Sequence, residues 1–174
     1  MRLLTLIDLL SLVASSAFAA DPEFVWEDDG TLRATVVFPV PMAAVKKLLA
    51  DPVRSMTLSP DVKGVVATRR GECHEIVVTT TGISDPFVYR ALRCVTPTGV
   101  KNELIESEDY KIQRSEWVLA AVDGGTRGVL RTRTQLTSWR TQLTSWVPGA
   151  FVKGGVKKGI TKTVDAMEKA LIGG

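Results

Sequence analysis

The stretch from Trp146 to Leu171 limits what this chain can become more than any other. It reads WVPGAFVKGGVKKGITKTVDAMEKAL, and Val152, Val156, Ile160, Val164, Met167 and Leu171 recur every three or four residues. That spacing lays them along one stripe of a helix. Lys153, Lys157, Lys158, Lys162 and Lys169 fall mostly off the stripe, and Gly173 and Gly174 end the pattern. Pro148 suits a first helical turn, where a missing N–H costs little. Nearly everything between residues 30 and 138 reads as antiparallel strand. A long amphipathic helix after a run of strands needs a sheet to lie on, so the expected class is α+β, a sheet packed on its terminal helix. At 174 residues and 45% hydrophobic, the chain can bury one well-packed core and is too short for two ordinary domains.

Upstream of that helix, residues 21–30 read as an acidic, polar lead-in ending in the turn Asp28-Asp29-Gly30. Thr31 to Val40 reads as the first strand, closed by Pro39 and Pro41. A helix follows from Pro41, with Val45, Leu48 and Leu49 on one side, and Asp51-Pro52 stops it. A second short helix is expected over Val53 to Leu58. Six strands come next: Val62–Arg69, Glu72–Thr81, Phe87–Thr96, Lys101–Glu108, Gln113–Val122 and Thr126–Thr137.

Hairpin symmetry gives registers. Centred on Ile83 and Ser84, one hairpin sets Cys73 opposite Cys94, Ile76 opposite Ala91, Val78 opposite Tyr89 and Thr80 opposite Phe87. The apolar face then looks inward, and the cysteines share the outer face with Glu75 and Arg90. A Cys73–Cys94 bridge fits this register, while one extra loop residue would leave two free thiols. Centred on Gly124 and Gly125, the last hairpin pairs Trp117 with Thr132 and Leu119 with Leu130. Glu116 then faces Arg133 on the outer side, and Trp117, Leu119 and Leu130 face inward.

RTQLTSW occurs twice without a break, at Arg133–Trp139 and Arg140–Trp146. Seven is odd, so one strand running through both copies would swap every side chain to the other face. One copy is therefore expected to loop out before the helix, with Trp139 or Trp146 near the opening of whatever the helix covers.

The first twenty residues read as a targeting segment. Met1 and Arg2 start it, Leu3 to Val13 is an apolar run with the charged Asp8 as its blemish, and Ala17-Phe18-Ala19 is a small-x-small cleavage signal. Cleavage after Ala19 or Ala20 would start a mature, exported domain near Asp21, in the periplasm or outside the cell, where disulfides persist. The run falls short of the roughly 20 apolar residues that a membrane span needs.

Reactive chemistry is sparse. The one histidine, His74, has no metal-ligand spacing around it, so no metal or cofactor is expected. Glu106, Glu108 and Asp109 cluster before a turn, as a solvated loop does. No phosphate loop, dinucleotide fingerprint or nucleophile elbow is present. A net charge of +3 with 6% aromatics is a weak nucleic-acid footprint, and none is expected as a partner. It suits transient contact between the basic helix face and an anionic membrane surface.

The element order, with DPFVYRALRCV at 85–95, SEDYKIQRSEW at 107–117, DGGTR at 123–127 and Trp146-Val147-Pro148 before Phe151-Val152, resembles the START-like, or helix-grip, superfamily. That superfamily includes lipid-transfer domains, polyketide cyclases, coenzyme-Q-binding proteins and birch-pollen-allergen relatives. The resemblance covers about residues 31–172, and the duplicated heptad is foreign to it. It implies a curved antiparallel sheet wrapped around the terminal helix, two short helices after the first strand, and an apolar cavity for a lipid-like molecule. The expected lining is Ile76, Val78, Phe87, Tyr89, Ala91, Trp117, Leu119, Leu130, Val152, Val156 and Ile160. The expected function is non-catalytic carriage by a monomer. A cyclase-like enzyme would need Arg93, Tyr89 or Glu106 as its acid or base, and a protein-binding module would have its pocket packed shut.

Overall fold

The computed structural model describes residues 21–81, 85–139 and 149–173. Residues 1–20, read above as a targeting segment, the centre of the 81–87 loop and the second RTQLTSW copy lie outside the described residues. Eight strands form one antiparallel sheet in the spatial order β1-β2-β8-β7-β6-β5-β4-β3. They are β1 (Glu23–Trp26), β2 (Leu32–Phe38), β3 (Val62–Arg70), β4 (Cys73–Thr80), β5 (Phe87–Thr96), β6 (Gly99–Glu106), β7 (Tyr110–Val122) and β8 (Gly125–Leu136). Between β2 and β3 the chain crosses the sheet through α1 (Met42–Ala50) and α2 (Pro52–Met56), and α3 (Gly149–Ile172) closes it. Asp51 separates the two short helices. Its carboxylate accepts from the Arg54 backbone N–H at 2.9 Å and Pro52 fills the first position of α2, so a stop and a start share one residue.

The lead-in is a strand after all. Glu23–Trp26 pairs with β2, Glu23 opposite Thr35 and Trp26 opposite Leu32, so the two short helices follow the second strand. The acids around it have a use. Glu27 binds Arg131 at 2.6 Å, and Asp29 binds Arg114 at 3.3 Å and Arg133 at 3.2 Å. The expected pairing of Glu116 opposite Arg133 does not form, for a geometric reason. The turn is two residues, Asp123-Gly124, with Gly124 at φ 77°, so Val122 faces Gly125 and Glu116 faces Arg131. The register moves by two residues, which changes every partner and no face. Trp117 now faces Leu130, and Leu119 faces Gly128.

The β4–β5 register matches the symmetric one, from Cys73 opposite Cys94 to Thr80 opposite Phe87. Cys73 and Cys94 are joined by a disulfide. Glu75 and Arg90 form an ion pair at 3.0 Å on the same outer face. Asp109 is not a solvated acid. It is buried, and its carboxylate accepts from the Val88 backbone N–H at 2.9 Å.

Curvature comes from bulges. Register slips by one at Lys63 in β3, Ile105 in β6 and Lys111 in β7. All three fall at the same end of the sheet, where β3 and β7 begin and β6 ends. Extra residues bend a strand and sharpen its twist, which curls this end around the helix.

The core divides in two. One cluster joins Val36, Phe38, Val45, Leu48, Leu49, Val100, Trp117, Leu119, Val164 and Met167. The other joins Ile76, Val78, Tyr89 and Ala91, with Met56, Val62 and Leu104 against them. Burial along α3 is graded to match. Val164 and Met167 are 1% exposed, whereas Val156 is 38% and Val152 51% exposed. The carboxy-terminal half of the helix is anchored in the first cluster. Ile160 packs against its edge, and Val152 and Val156, nearer the amino terminus of α3, lie outside it.

Candidate functional site

Between the two clusters lies a cavity of about 390 Å³. That volume is at the lower end of what small-molecule sites enclose. Val156, Ile160, Val164 and Met167 of α3 line it on one side, Trp117 and Leu130 of the β7–β8 hairpin on another, and Leu49, Met56 and Val62 close it from the α1–α2 side. Tyr89 and Tyr110 contribute from the second cluster, with ring centroids 5.5 Å apart and edge to face.

Of the residues expected to line the site, Tyr89, Trp117, Leu130, Val156 and Ile160 do so. Ile76, Val78 and Ala91 are sealed inside the second cluster and Leu119 inside the first. Phe87 packs edge-on against Tyr110 with centroids 5.5 Å apart. Val152 lies a turn beyond the lining, exposed. Inward pointing is a property of strand alternation, whereas lining a void also requires that nothing packs opposite, and α1–α2 and α3 decide that. Trp139 does not line the cavity; its indole N–H donates to the Glu108 carbonyl at 3.0 Å.

The lining is also more polar than one apolar face allows. Arg93, Asn102, Ser115 and Thr132 stand opposite one another in succession across β5, β6, β7 and β8. Arg93 Nη1 donates to Asn102 Oδ1 at 3.0 Å, and Asn102 Nδ2 donates to Ser115 Oγ at 2.8 Å. Arg93 Nη2 donates to the Leu49 carbonyl at 2.6 Å and to Ser55 Oγ at 2.9 Å. The guanidinium therefore satisfies a carbonyl in the last turn of α1, where cations are favoured. Gln113 and Thr134 extend the polar floor toward the curled end, joined by a 2.7 Å bond from Thr134 Oγ1. Asp61 is the other charged lining residue among those described. It is exposed, and Gly159 of α3 leaves room beside it: a Cβ there would come within 3.0 Å of Oδ2.

Burial sets the proton affinities. The pKa of Arg93, a residue only 4% exposed, is lowered to about 10 by loss of solvent, partly offset by Tyr89 and Asp51. Loss of solvent pushes the Tyr89 phenol up to about 12, against an opposing hydrogen bond with Gln113. Glu106 is absent from the lining; it binds Arg90 at 2.7 Å with most of its side chain in solvent. Among the described residues no group of His, Cys, Asp and Glu is placed to hold a metal ion.

No family model matches the sequence, and no curated protein matches it. Solved structures do match in fold. TTHA0849 from Thermus thermophilus is 16% identical, with a TM-score of 0.69 over 82% of this chain and 97% of that one. A START superfamily protein from Mycobacterium smegmatis is 13% identical, with a TM-score of 0.66 over 82% and 97%. The Zhui aromatase/cyclase from a Streptomyces species is 15% identical, with a TM-score of 0.60 over 82% and 91%. The curved sheet, the crossover helices and the closing helix are those of the helix-grip, START-like fold. The matching structures include aromatase/cyclases, Zhui among them, beside a START superfamily protein.

Proposed function

We propose that this protein is an exported, non-catalytic carrier that binds one lipid-like molecule between the sheet and α3. The observation that carries the reading is the divided core. Two apolar clusters with a void between them leave apolar surface that a ligand would cover, at about 25 cal/mol per Å² removed from water. The graded burial of α3 supports a lid. Val164 and Met167 are buried in the first cluster, whereas Val152 and Val156 have little packed against them. Lys153 sits 5.3 Å from the Trp26 ring centroid and Lys157 5.6 Å from that of Phe24, contacts that solvent exposure makes weak, at about 0.5–1 kcal/mol each. Exposed Val152 and Val156 beside Lys153 and Lys158 suit transient docking on an anionic bilayer. Export rests on the targeting segment of residues 1–20, and the disulfide is consistent with it.

Non-catalytic action is favoured by the proton affinities. A general acid or base works best near the operating pH. Tyr89 at about 12 and Arg93 at about 10 are far from neutrality, and Glu106 lies outside the cavity lining. The test is transfer. Mature protein is mixed with phosphatidylglycerol vesicles carrying a trace of a fluorescent single-chain lipid, then separated by sedimentation. Probe moving into the soluble fraction with the protein is expected. Probe staying with the vesicles at every protein concentration would count against carriage.

A further inference from the structure

We propose that the Arg93 end of the cavity is an anion subsite, which takes the carboxylate of a monocarboxylic acid whose single chain or fused-ring body lies under α3. The inference rests on the carrier reading above and adds the chemistry of the ligand's head. Arg93 is a buried cation without a counter-ion: among the described residues, no ion pair includes it. Arg70, Arg90, Lys101, Arg114, Arg131 and Arg133, by contrast, each meet a carboxylate, all of them at the surface. A buried, unpaired charge is costly unless something opposes it. Asp51 acts on Arg93 through space, but its carboxylate is already engaged as the cap of α2.

The guanidinium is also incompletely bonded. It donates to Asn102, Leu49 and Ser55, and all three acceptors are neutral. Among the described residues its Nε has no hydrogen-bond partner. Beside it, Ser115 Oγ accepts from Asn102 and keeps its own proton for a further acceptor. A buried donor set with one positive charge calls for one negative charge. A dianion would leave a charge unmatched.

The probes are dodecanoic acid, 1-dodecanol and dodecyl phosphate, titrated calorimetrically into wild-type protein and into Arg93→Gln. Charged hydrogen bonds of this kind correspond to at least about tenfold in affinity. Wild type is expected to bind dodecanoate at least about tenfold tighter than dodecanol, and tighter than dodecyl phosphate. Arg93→Gln is expected to lose the preference while keeping its affinity for dodecanol. Equal binding of acid and alcohol by wild type, tighter binding of the phosphate, or an acid preference surviving in Arg93→Gln would each overturn the anion subsite and leave the carrier reading standing. Binding of none of the three would overturn the carrier reading, and the subsite with it. Should Arg93→Gln not fold, the Arg93 Nε–H resonance of ¹⁵N-labelled wild type decides: it is expected to shift with dodecanoate and stay put with dodecanol, and an unmoved resonance overturns the subsite.

Discussion

Two side chains on the cavity's sheet side show how single residues hold this architecture. Trp117 fits because β8 offers Gly128 opposite Leu119; a Cβ on Gly128 would lie 3.0 Å from Trp117 Cζ3 and 3.2 Å from Phe38 Cε2. Both rings are buried and cannot yield freely. Gly128→Val is therefore expected to destabilise the protein by about 1–3 kcal/mol, the usual range for overpacking, as read by urea unfolding. Tyr89 gives a pH signature. Its phenol ionises near 12 in the fold against 10.0 for an ordinary tyrosine, the value taken for the unfolded chain. The raised value means the folded state holds the proton longer, so the contribution is full below about pH 10 and is lost as pH rises through about 12. Ultraviolet titration should show a late phenolate step near pH 12 that Tyr89→Phe abolishes. A Tyr89 step at the ordinary value would mean the phenol is solvated and the cavity wall open there.

At the scale of elements, α3 is the informative one. Its stripe is continuous in sequence and graded in burial, so truncations to alanine should differ with position. Met167→Ala removes a side chain from the first cluster and is expected to cost about 2–5 kcal/mol. Val152→Ala removes exposed methyls and should stay within about 0.5 kcal/mol. Similar losses at both would mean the helix is packed evenly and holds no lid. The β4–β5 hairpin carries the disulfide across a sequence separation of 21. Its removal by Cys73→Ser with Cys94→Ser is expected to cost about 3 kcal/mol through the freer unfolded chain, measured as a lowered urea midpoint relative to the oxidised wild type. The sequence made α3 and this hairpin legible because both rest on local periodicity and a symmetric loop. It hid β1, since Glu23–Trp26 is four residues among acids and becomes a strand only by pairing with β2. The β7–β8 partners were hidden by turn length, while their faces survived a shift of two.

Across the whole molecule, the cavity was foreseeable as a place and not as a chemistry. Alternation puts Arg93 on the face of Tyr89 and Ala91, and Ser115 on the face of Trp117, so the signal existed. Charge argued the other way, because an arginine on a strand normally reaches solvent. Only the cross-strand register lines Arg93, Asn102, Ser115 and Thr132 into one row, and register is a long-range property. Void against packed core is likewise settled by how three layers meet. That void is the claim on which carriage depends, and native mass spectrometry of the purified protein weighs it directly. The account predicts a discrete adduct of one small molecule per chain, either co-purified or acquired from a lipid mixture, and its loss in Ile160→Trp, which fills the cavity beside Trp117 and Leu130. A chain that remains bare after exposure to the mixture, or an adduct undiminished in Ile160→Trp, would contradict it.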